Sequence, residues 1–306
     1  MEPYMKNDYE FSLCRMVICW CLSFVTVFAQ ADRISFNVMP KPGQVVHLKM
    51  SQEMDFEITF DGDPASPLAG MGPMKVTGTS GFAVTQKIGQ PNDAGQITSE
   101  LIYDEVTADM RMNGTALPMD GAMNKFVGKK MSLVRDREGN ITDVRLPQDM
   151  GISAEAITQM MKNLSANIPK APLAVGETAT MPLDMALPIP VPGVGPLKLE
   201  GSNRVRLLAI EKDGNDRLAK FENTTEGKMN SSADIKSPQG GLKMNIEMSL
   251  SGSGPMVLNV DKAFVKSSDI QTKFEAVIKM AGERADVRMP NIKISGTMRI
   301  KIAGND

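Results

Sequence analysis

Residues 46–60 read VHLKMSQEMDFEITF, and this stretch decides the fold because apolar and polar residues alternate along it. The even positions from Val46 to Phe60 are apolar except for Gln52, whereas the odd positions are polar or charged. Successive side chains of a strand point to opposite faces of the sheet, so the pattern predicts one long strand. One apolar and one solvated face are typical of antiparallel sheets.

The same alternation returns in residues 242–250, 270–280 and 292–302. These strands are longer than the usual length of about five or six residues, which suits a curved sheet. We therefore predict a mainly β protein of long, curved antiparallel sheet or sheets, either half-barrel or sandwich-like. Residues 136–140 (DREGN) and 213–215 (DGN) are expected to close hairpins, because glycine tolerates the positive φ that such turns require.

A single amphipathic helix is predicted near residues 153–168. Ser153 is a suitable N-cap, and apolar residues follow it at helical spacing until Pro169, which ends the pattern. The residues after the helix, up to 175, read as a linker.

An internal repeat divides the chain. Residues 67–84 (PLAGMGPMKVTGTSGFAV) align without a gap with residues 190–207 (PVPGVGPLKLEGSNRVRL), and Pro, Gly and Lys positions are identical between them. Such self-similarity indicates two related units. We expect a first β-rich half at 32–150, the helix and linker at 151–175, and a second β-rich half at 176–306.

The N-terminus is typical of a secretory signal peptide. Lys6 and Arg15 precede an uncharged apolar run at 16–28, and Ala29-Gln30-Ala31 provides a small-x-small cleavage site. We predict cleavage before Asp32 and a periplasmic or extracellular protein; an uncleaved N-terminal anchor and a translation start at Met16 stay open as alternatives. All three cysteines would leave with residues 1–31, so the exported chain would have no disulfide. No later segment has the about twenty apolar residues of a membrane span.

Charge and residue types exclude several function classes. The formal net charge is −2, which provides no basic field for nucleic acid. A chain with one histidine, His47, cannot build a multi-histidine zinc site, and no catalytic motif accompanies that residue. We therefore predict no catalytic, cofactor-binding or metal residue and no cofactor. Hydrolysis by a pair of carboxylates stays open.

Methionine is abundant, with 25 residues in the chain, and most of them fall on the apolar positions of the strands. Methionine fills irregular cores, but its flexible side chain also adapts to varied apolar ligands, and thioethers can bind Cu(I). If these residues form an apolar ligand face, we expect it to comprise Met50, Met54, Phe56, Ile58, Met244, Met248 and Met298.

Three segments carry a family resemblance: residues 43–52 (GQVVHLKMSQ), the hairpin at 131–144 (MSLVRDREGNITDV) and the strand pair at 252–267. In these segments the chain resembles a family of exported bacterial proteins that is known only as a domain of unknown function. The resemblance implies export and a β-rich fold, and it implies no activity. In outline the pattern is also similar to periplasmic lipoprotein carriers, whose curved sheets hold acyl chains.

Three functions remain after these exclusions. The leading interpretation is an exported, non-catalytic protein that binds a hydrophobic ligand such as a lipid, or an envelope protein, on an apolar sheet face. The second is a structural or interaction protein of the cell envelope with a closed core. The third is a hydrolase whose carboxylates the sequence does not identify.

Overall fold

The structure is a computed structural model, and it describes residues 33–36, 39–61, 72–118, 124–147, 158, 168–187, 197–237, 240–282 and 290–306. The predicted signal peptide at 1–31 lies outside the described residues. So does the predicted helix near 153–168, apart from Thr158 and Ile168, and so do parts of both repeat segments, 67–71 and 190–196.

Twelve strands and one 3-10 turn, Asn124–Phe126, make up the described elements. The prediction of a mainly β protein is confirmed. The strands are β1 Val45–Asp61, β2 Met74–Pro91, β3 Ile97–Met112, β4 Thr115–Leu117, β5 Lys130–Arg135, β6 Ile141–Arg145, β7 Thr178–Leu187, β8 Leu197–Asp213, β9 Asp216–Ser237, β10 Gly240–Asn259, β11 Phe264–Gly282 and β12 Asn291–Asn305.

All strands belong to one antiparallel sheet, in the order β6-β5-β3-β2-β1-β12-β11-β10-β9-β8-β7, with β4 beside β3. The sheet is not closed, because β6 and β7 are its two edges. Two meanders, one from each end of the chain, meet where β1 pairs with β12. That pairing runs from His47 opposite Asn305 to Asp61 opposite Asn291.

The two faces of the sheet differ as the alternation predicts. Residues directly opposite each other share a face, so the even positions of β1 lie with Met298 of β12 and Val76 of β2, and this side is the apolar face. The odd positions of β1 lie with Arg299 and Lys75 on the polar face. Ion pairs on the polar face, such as Lys75 with Asp55 at 3.1 Å, are exposed and contribute little to stability. Burial of the apolar face is therefore the main stabilising force.

Both predicted hairpins are confirmed. Between β5 and β6, the carboxylate of Asp136 accepts hydrogen bonds from the backbone N–H groups of Glu138 and Asn140, each at 2.9 Å. Gly139 has a φ of 83°, and Gly214 between β8 and β9 has a φ of 60°. These are values that favour glycine, which explains its place in each turn.

Three buried clusters lie on the apolar face. The first covers β8, β9 and β10, where Phe36 packs on Phe221 with ring centroids 5.2 Å apart and Leu173 joins them. The second is formed by Leu183, Leu199, Met229 and Ile246. The third is formed by Met131, Leu133, Ile141 and Val144 beside the opposite edge.

The segment 170–176 contacts two distant parts of the sheet. Gly176 donates its N–H to Leu207 of β8, whereas Lys170 Nζ donates to Asn140 Oδ1 beside β5 at 3.2 Å. The segment 170–176 thus lies against both the β5–β6 hairpin and β8.

The two meanders begin in the same way. Strands β1, β2 and β3 are consecutive antiparallel neighbours, as are β7, β8 and β9. The pairs β2–β3 and β8–β9 each contain a register shift near the repeat segment. The shift lies between Ala83 and Val84 of β2 in the first pair and between Leu207 and Ala209 of β8 in the second. The extra residue lies in β3 in the first case and in β8 in the second. Superposition of the two halves stays a prediction.

Candidate functional site

The seven residues expected to form an apolar ligand face all lie on the apolar face. Met50, Met54, Phe56 and Ile58 are in β1, and Met298 is directly opposite Met54 in β12. Met244 and Met248 are in β10, which is separated from β1 by β11 and β12. Their role in ligand binding stays a prediction.

The seven residues belong to two different environments. Met244 and Met248 pack against the second buried cluster, so they contribute to a core. Met50 is 37% exposed, and the other four residues are half-buried. The sequence pattern did not separate these groups, because both lie at the apolar positions of alternating strands.

A central apolar strip can be defined from the half-buried and exposed side chains on β1, β12 and β11. It runs between the first and third buried clusters and consists of Met50, Met54, Phe56, Ile58, Ile294, Met298, Ile300, Ile270 and Phe274. Unlike the three clusters, these side chains keep part of their surface accessible to solvent.

The strip is internally packed. The rings of Phe56 and Phe274 meet at 4.7 Å between centroids over Gly296. Gln52, the polar exception in the pattern of β1, donates from Nε2 to the Met298 sulfur at 2.8 Å. The side chains of the strip therefore contact one another, and the Gln52 amide beside them is already hydrogen-bonded.

Two grooves lie on the polar face instead. The larger has a volume of about 910 Å³, and its polar lining includes Lys198, Glu200, Ser202, Lys228, Lys273 and Glu275. The smaller has about 520 Å³ and lies beside Lys49, Gly81, Ala83, Glu105 and Lys301. Their charged linings differ from the apolar surface that the sequence predicts for ligand binding.

His47 lies on the polar face, as its parity predicts, close to the smaller groove. Its Nδ1 is 3.0 Å from Thr85 Oγ1, and the Thr85 hydroxyl donates to Asp104 Oδ2 at 2.6 Å. Asp104 is the extra residue of the register shift between β2 and β3, and such a bulge re-aims a side chain. His47 and Asp104 are exposed and Thr85 is half-buried, and the Thr85 hydroxyl lies between the imidazole and the carboxylate. In a hydrolytic triad the imidazole lies between the nucleophile and the carboxylate. The order of His47, Thr85 and Asp104 therefore differs from that of a hydrolytic triad.

The carboxyl groups of the described residues do not resemble a general-acid pair. Where the pKa of a carboxyl group departs from its ordinary value, it is lowered, mainly by hydrogen bonds from partner side chains; the residues are Asp61, Asp136, Asp216, Asp261 and Asp269. A general acid near neutral pH needs a raised pKa. Within the described ranges, no group of three or more histidine, cysteine or acidic residues could hold a metal ion.

Tyr103, the one tyrosine of the expected exported chain, lies within ring-contact distance of Phe82 and Phe126. Burial raises the pKa of its hydroxyl above the ordinary value. The Tyr103 ring thus packs against one aromatic ring of β2 and one of the 3-10 turn.

No helix among the described residues has the length and hydropathy that crossing a bilayer requires.

Comparison with known proteins adds little to this description of the structure. No family model matches the chain, and no curated protein matches it. A solved structure to which the chain is similar is that of DynF from the dynemicin biosynthesis pathway of Micromonospora chersina. The match has 9% sequence identity and a TM-score of 0.15, and it covers 90% of this chain and 87% of that one.

Proposed function

We propose that this protein is exported and binds an apolar ligand of the acyl-chain type on the apolar face of its sheet, without chemical turnover. The observation that carries this proposal is the central apolar strip. Its side chains are contiguous across three neighbouring strands and remain half-buried, with Met50 37% exposed, whereas the clusters on either side are fully buried.

The composition of the strip supports a greasy and variable ligand. A contiguous exposed apolar patch on a folded protein usually marks an interaction site. Met50, Met54 and Met298 place flexible thioether side chains within it. Such side chains adapt to different apolar shapes, and each buried methylene of a bound chain would contribute about 0.8 kcal/mol before ordering costs.

The proposal includes the half-barrel form of the sheet. In this form, the contact of Lys170 with Asn140 would bring the two sides of the sheet together on the apolar side, although β6 and β7 do not pair with each other. A sheet curved in this sense would present a concave apolar surface, which an extended chain could follow along the strands. Export rests on the signal sequence at 1–31, and the two related halves rest on the repeat.

Dye binding tests the proposal. The purified chain from residue 32 onward should bind a fluorescent fatty acid saturably, and binding should raise the thermal midpoint because the ligand binds only the folded state. Met50→Lys should weaken binding at least tenfold, since it places an ammonium group in the strip. Ser51→Lys is the matched control, because the next residue faces the polar side. A folded wild-type protein that takes up no probe would overturn the proposal.

A closed core is the second candidate, and two observations favour it. Met244 and Met248 already pack against a buried cluster. Leu146 packs against the third cluster and Ile168 against the first, so the chain leaves one side of the apolar face and returns on another. If a closed core fills the apolar face, no probe should bind and Met50→Lys should destabilise the protein instead.

A further inference from the structure

The floor of the larger groove on the polar face consists of small side chains on β10. Ser249 is directly opposite Lys228 of β9 on one side and Glu275 of β11 on the other. Opposite residues of an antiparallel sheet share a face, so the long side chains stand on either side of the short serine. These two walls are about 9.6 Å apart, which is two strand spacings of about 4.8 Å. The groove of about 910 Å³ thus follows from the alternation of long and short residues across three strands.

The next level of the groove repeats this arrangement with the charges exchanged. Ser251 is directly opposite Glu226 of β9 and Lys273 of β11. Each wall therefore carries one cation and one carboxylate, and each serine lies between residues of opposite charge. Lys198 and Glu200 of β8 add one more charge of each sign. The described lining residues thus include three lysines and three glutamates, so that their formal charge is zero.

Most of these charged groups are not engaged with one another. Glu226 pairs with Arg204 at 3.0 Å. Glu200 and Lys228 are directly opposite each other yet form no ion pair, and among the described residues Lys273 has no side-chain partner either. All of them are exposed, so their hydrogen-bonding capacity is open to solvent or to a ligand.

The balance of charge restricts the class of ligand that this groove fits. An anionic or a cationic ligand would meet as many like as opposite charges, and an apolar ligand would remove water from ammonium and carboxylate groups without replacing it. An ammonium group only donates hydrogen bonds and a carboxylate only accepts them, whereas a hydroxyl group does both. A ligand with many hydroxyl groups can therefore donate to the glutamates and accept from the lysines at both levels of the groove.

We propose that the larger groove binds a neutral oligosaccharide. This inference goes beyond the proposed function, because the groove and the central apolar strip lie on opposite faces of the sheet. The groove volume lies within the range of about 300–1,000 Å³ that is usual for ligand sites. Among the described residues that line it, Phe274 is the one aromatic residue, and its ring packs on Phe56 on the apolar face. Binding therefore rests on hydrogen bonds without ring stacking, and we expect a Kd on the order of 1 mM.

Titration with sugar hexamers tests this inference on the chain that starts at residue 32. The probes are cellohexaose, maltohexaose and the hexamer of N-acetylglucosamine, and ¹H–¹⁵N NMR spectra follow the backbone amides. At least one probe should shift the amides of β9, β10 and β11 around the groove saturably. Ser251→Lys should weaken this binding at least tenfold, because a long side chain fills the floor between the walls. Ser253→Lys is the matched control, since Ser253 is exposed on the same strand and face but lies outside the groove.

The outcomes distinguish a sugar site from a charged one. Shifts by none of the three hexamers, or equal weakening by both serine variants, would overturn the inference. Tighter binding of a glutamate hexapeptide or a lysine hexapeptide than of every sugar would also overturn it, because the groove would then select charge. Raising NaCl from about 50 to about 500 mM should change the sugar affinity less than twofold, since salt screens the attraction of charged ligands.

Two further measurements keep the test independent of folding and of the apolar face. If Ser251→Lys does not fold, Lys273→Met replaces it; this variant keeps the length of the side chain but removes its donors, and sugar binding should weaken several-fold. Fatty-acid binding should be equal in Ser251→Lys and the wild type, because the substitution faces away from the strip. A protein that binds the sugar but no fatty acid would overturn the proposed function and leave the oligosaccharide site intact.

Discussion

Phe56 and Phe274 lie in strands that are not neighbours, yet their ring centroids are 4.7 Å apart at an interplanar angle of 80°. The strand between them carries Gly296 directly opposite both residues. Across two strand spacings of about 4.8 Å each, two side chains touch only where the middle residue leaves the space open. This edge-to-face contact ties β1 to β11 and thus links the N-terminal meander to the C-terminal one.

Gly296→Ala should destabilise the protein by about 1–3 kcal/mol through overpacking. A Cβ at this position would lie 2.3 Å from the Asp55 carbonyl oxygen and 2.6 Å from Phe56 Cδ1. The sign is informative, because alanine in the middle of an ordinary strand is more stable than glycine by about 0.5–1 kcal/mol. Urea denaturation measures the change, with Ser295→Ala on the polar face as the control; a gain in stability at position 296 would contradict the contact.

Phe56→Ala should lower the free energy of unfolding by about 2 kcal/mol, whereas Asp55→Asn should change it by less than about 0.5 kcal/mol. Full burial of Phe56 would predict about 3–5 kcal/mol, but the side chain is half-buried, so part of that loss is absent. Asp55 is 54% exposed and pairs with Lys75 on the polar face. Similar losses at both positions in urea denaturation would mean that the strand does not have two distinct faces.

The faces of the strands were predictable from the sequence because their cause is local. Met54, Phe56 and Ile58 turn to the apolar face and Glu53, Asp55 and Glu57 to solvent, as strict alternation predicts. The two hairpins after Asp136 and Asp213 were predictable for the same reason, since turn geometry depends on a few adjacent residues.

Strand order and burial depth were not predictable in this way. Any alternating strand can pair with any other, so the pairing of β1 with β12 depends on contacts between residues far apart in sequence. The alternation of apolar and polar residues likewise does not distinguish Met248, which packs on a buried cluster, from the exposed Met50. Arg135 lies on the apolar face opposite Ile97, a position that its charge does not predict.

The exported form should begin with Asp32-Arg33-Ile34. This follows from the n-region, apolar run and Ala29-Gln30-Ala31 sequence at the N-terminus. Arg33 forms an ion pair with Glu177, and Ile34 pairs with Leu173 through backbone hydrogen bonds, so the sheet already engages the residues just after the predicted cleavage point. N-terminal sequencing of the exported protein is the measurement, and a chain that still begins at Met1 or Met16 would contradict it.

The last prediction concerns the turn between β10 and β11, where Asp261 receives three kinds of hydrogen bond from Arg217. The backbone N–H of Arg217 donates to Asp261 Oδ2 at 2.6 Å, and its Nη2 and Nε donate to Oδ1 at 2.7 and 3.1 Å. These bonds hold the pKa of the Asp261 carboxyl below its ordinary value. A group whose pKa is lower in the folded state stabilises the fold above its unfolded pKa, and this contribution disappears as the pH falls through the folded pKa.

Asp261→Asn should therefore destabilise the protein by about 1 kcal/mol at pH 7, where the wild-type carboxylate is ionised and fully hydrogen-bonded. The difference between the two proteins should shrink steadily below about pH 4, because the wild-type carboxyl is then protonated and loses its charge-assisted bonds. Urea denaturation at pH 7, 5 and 3 gives the comparison. Asp109→Asn is a suitable control, since Asp109 is 57% exposed and meets Arg111 only at 3.4 Å. A difference at position 261 that stays constant from pH 7 to pH 3 would show that the charge of Asp261 does not stabilise this turn, and that its role there is purely one of shape.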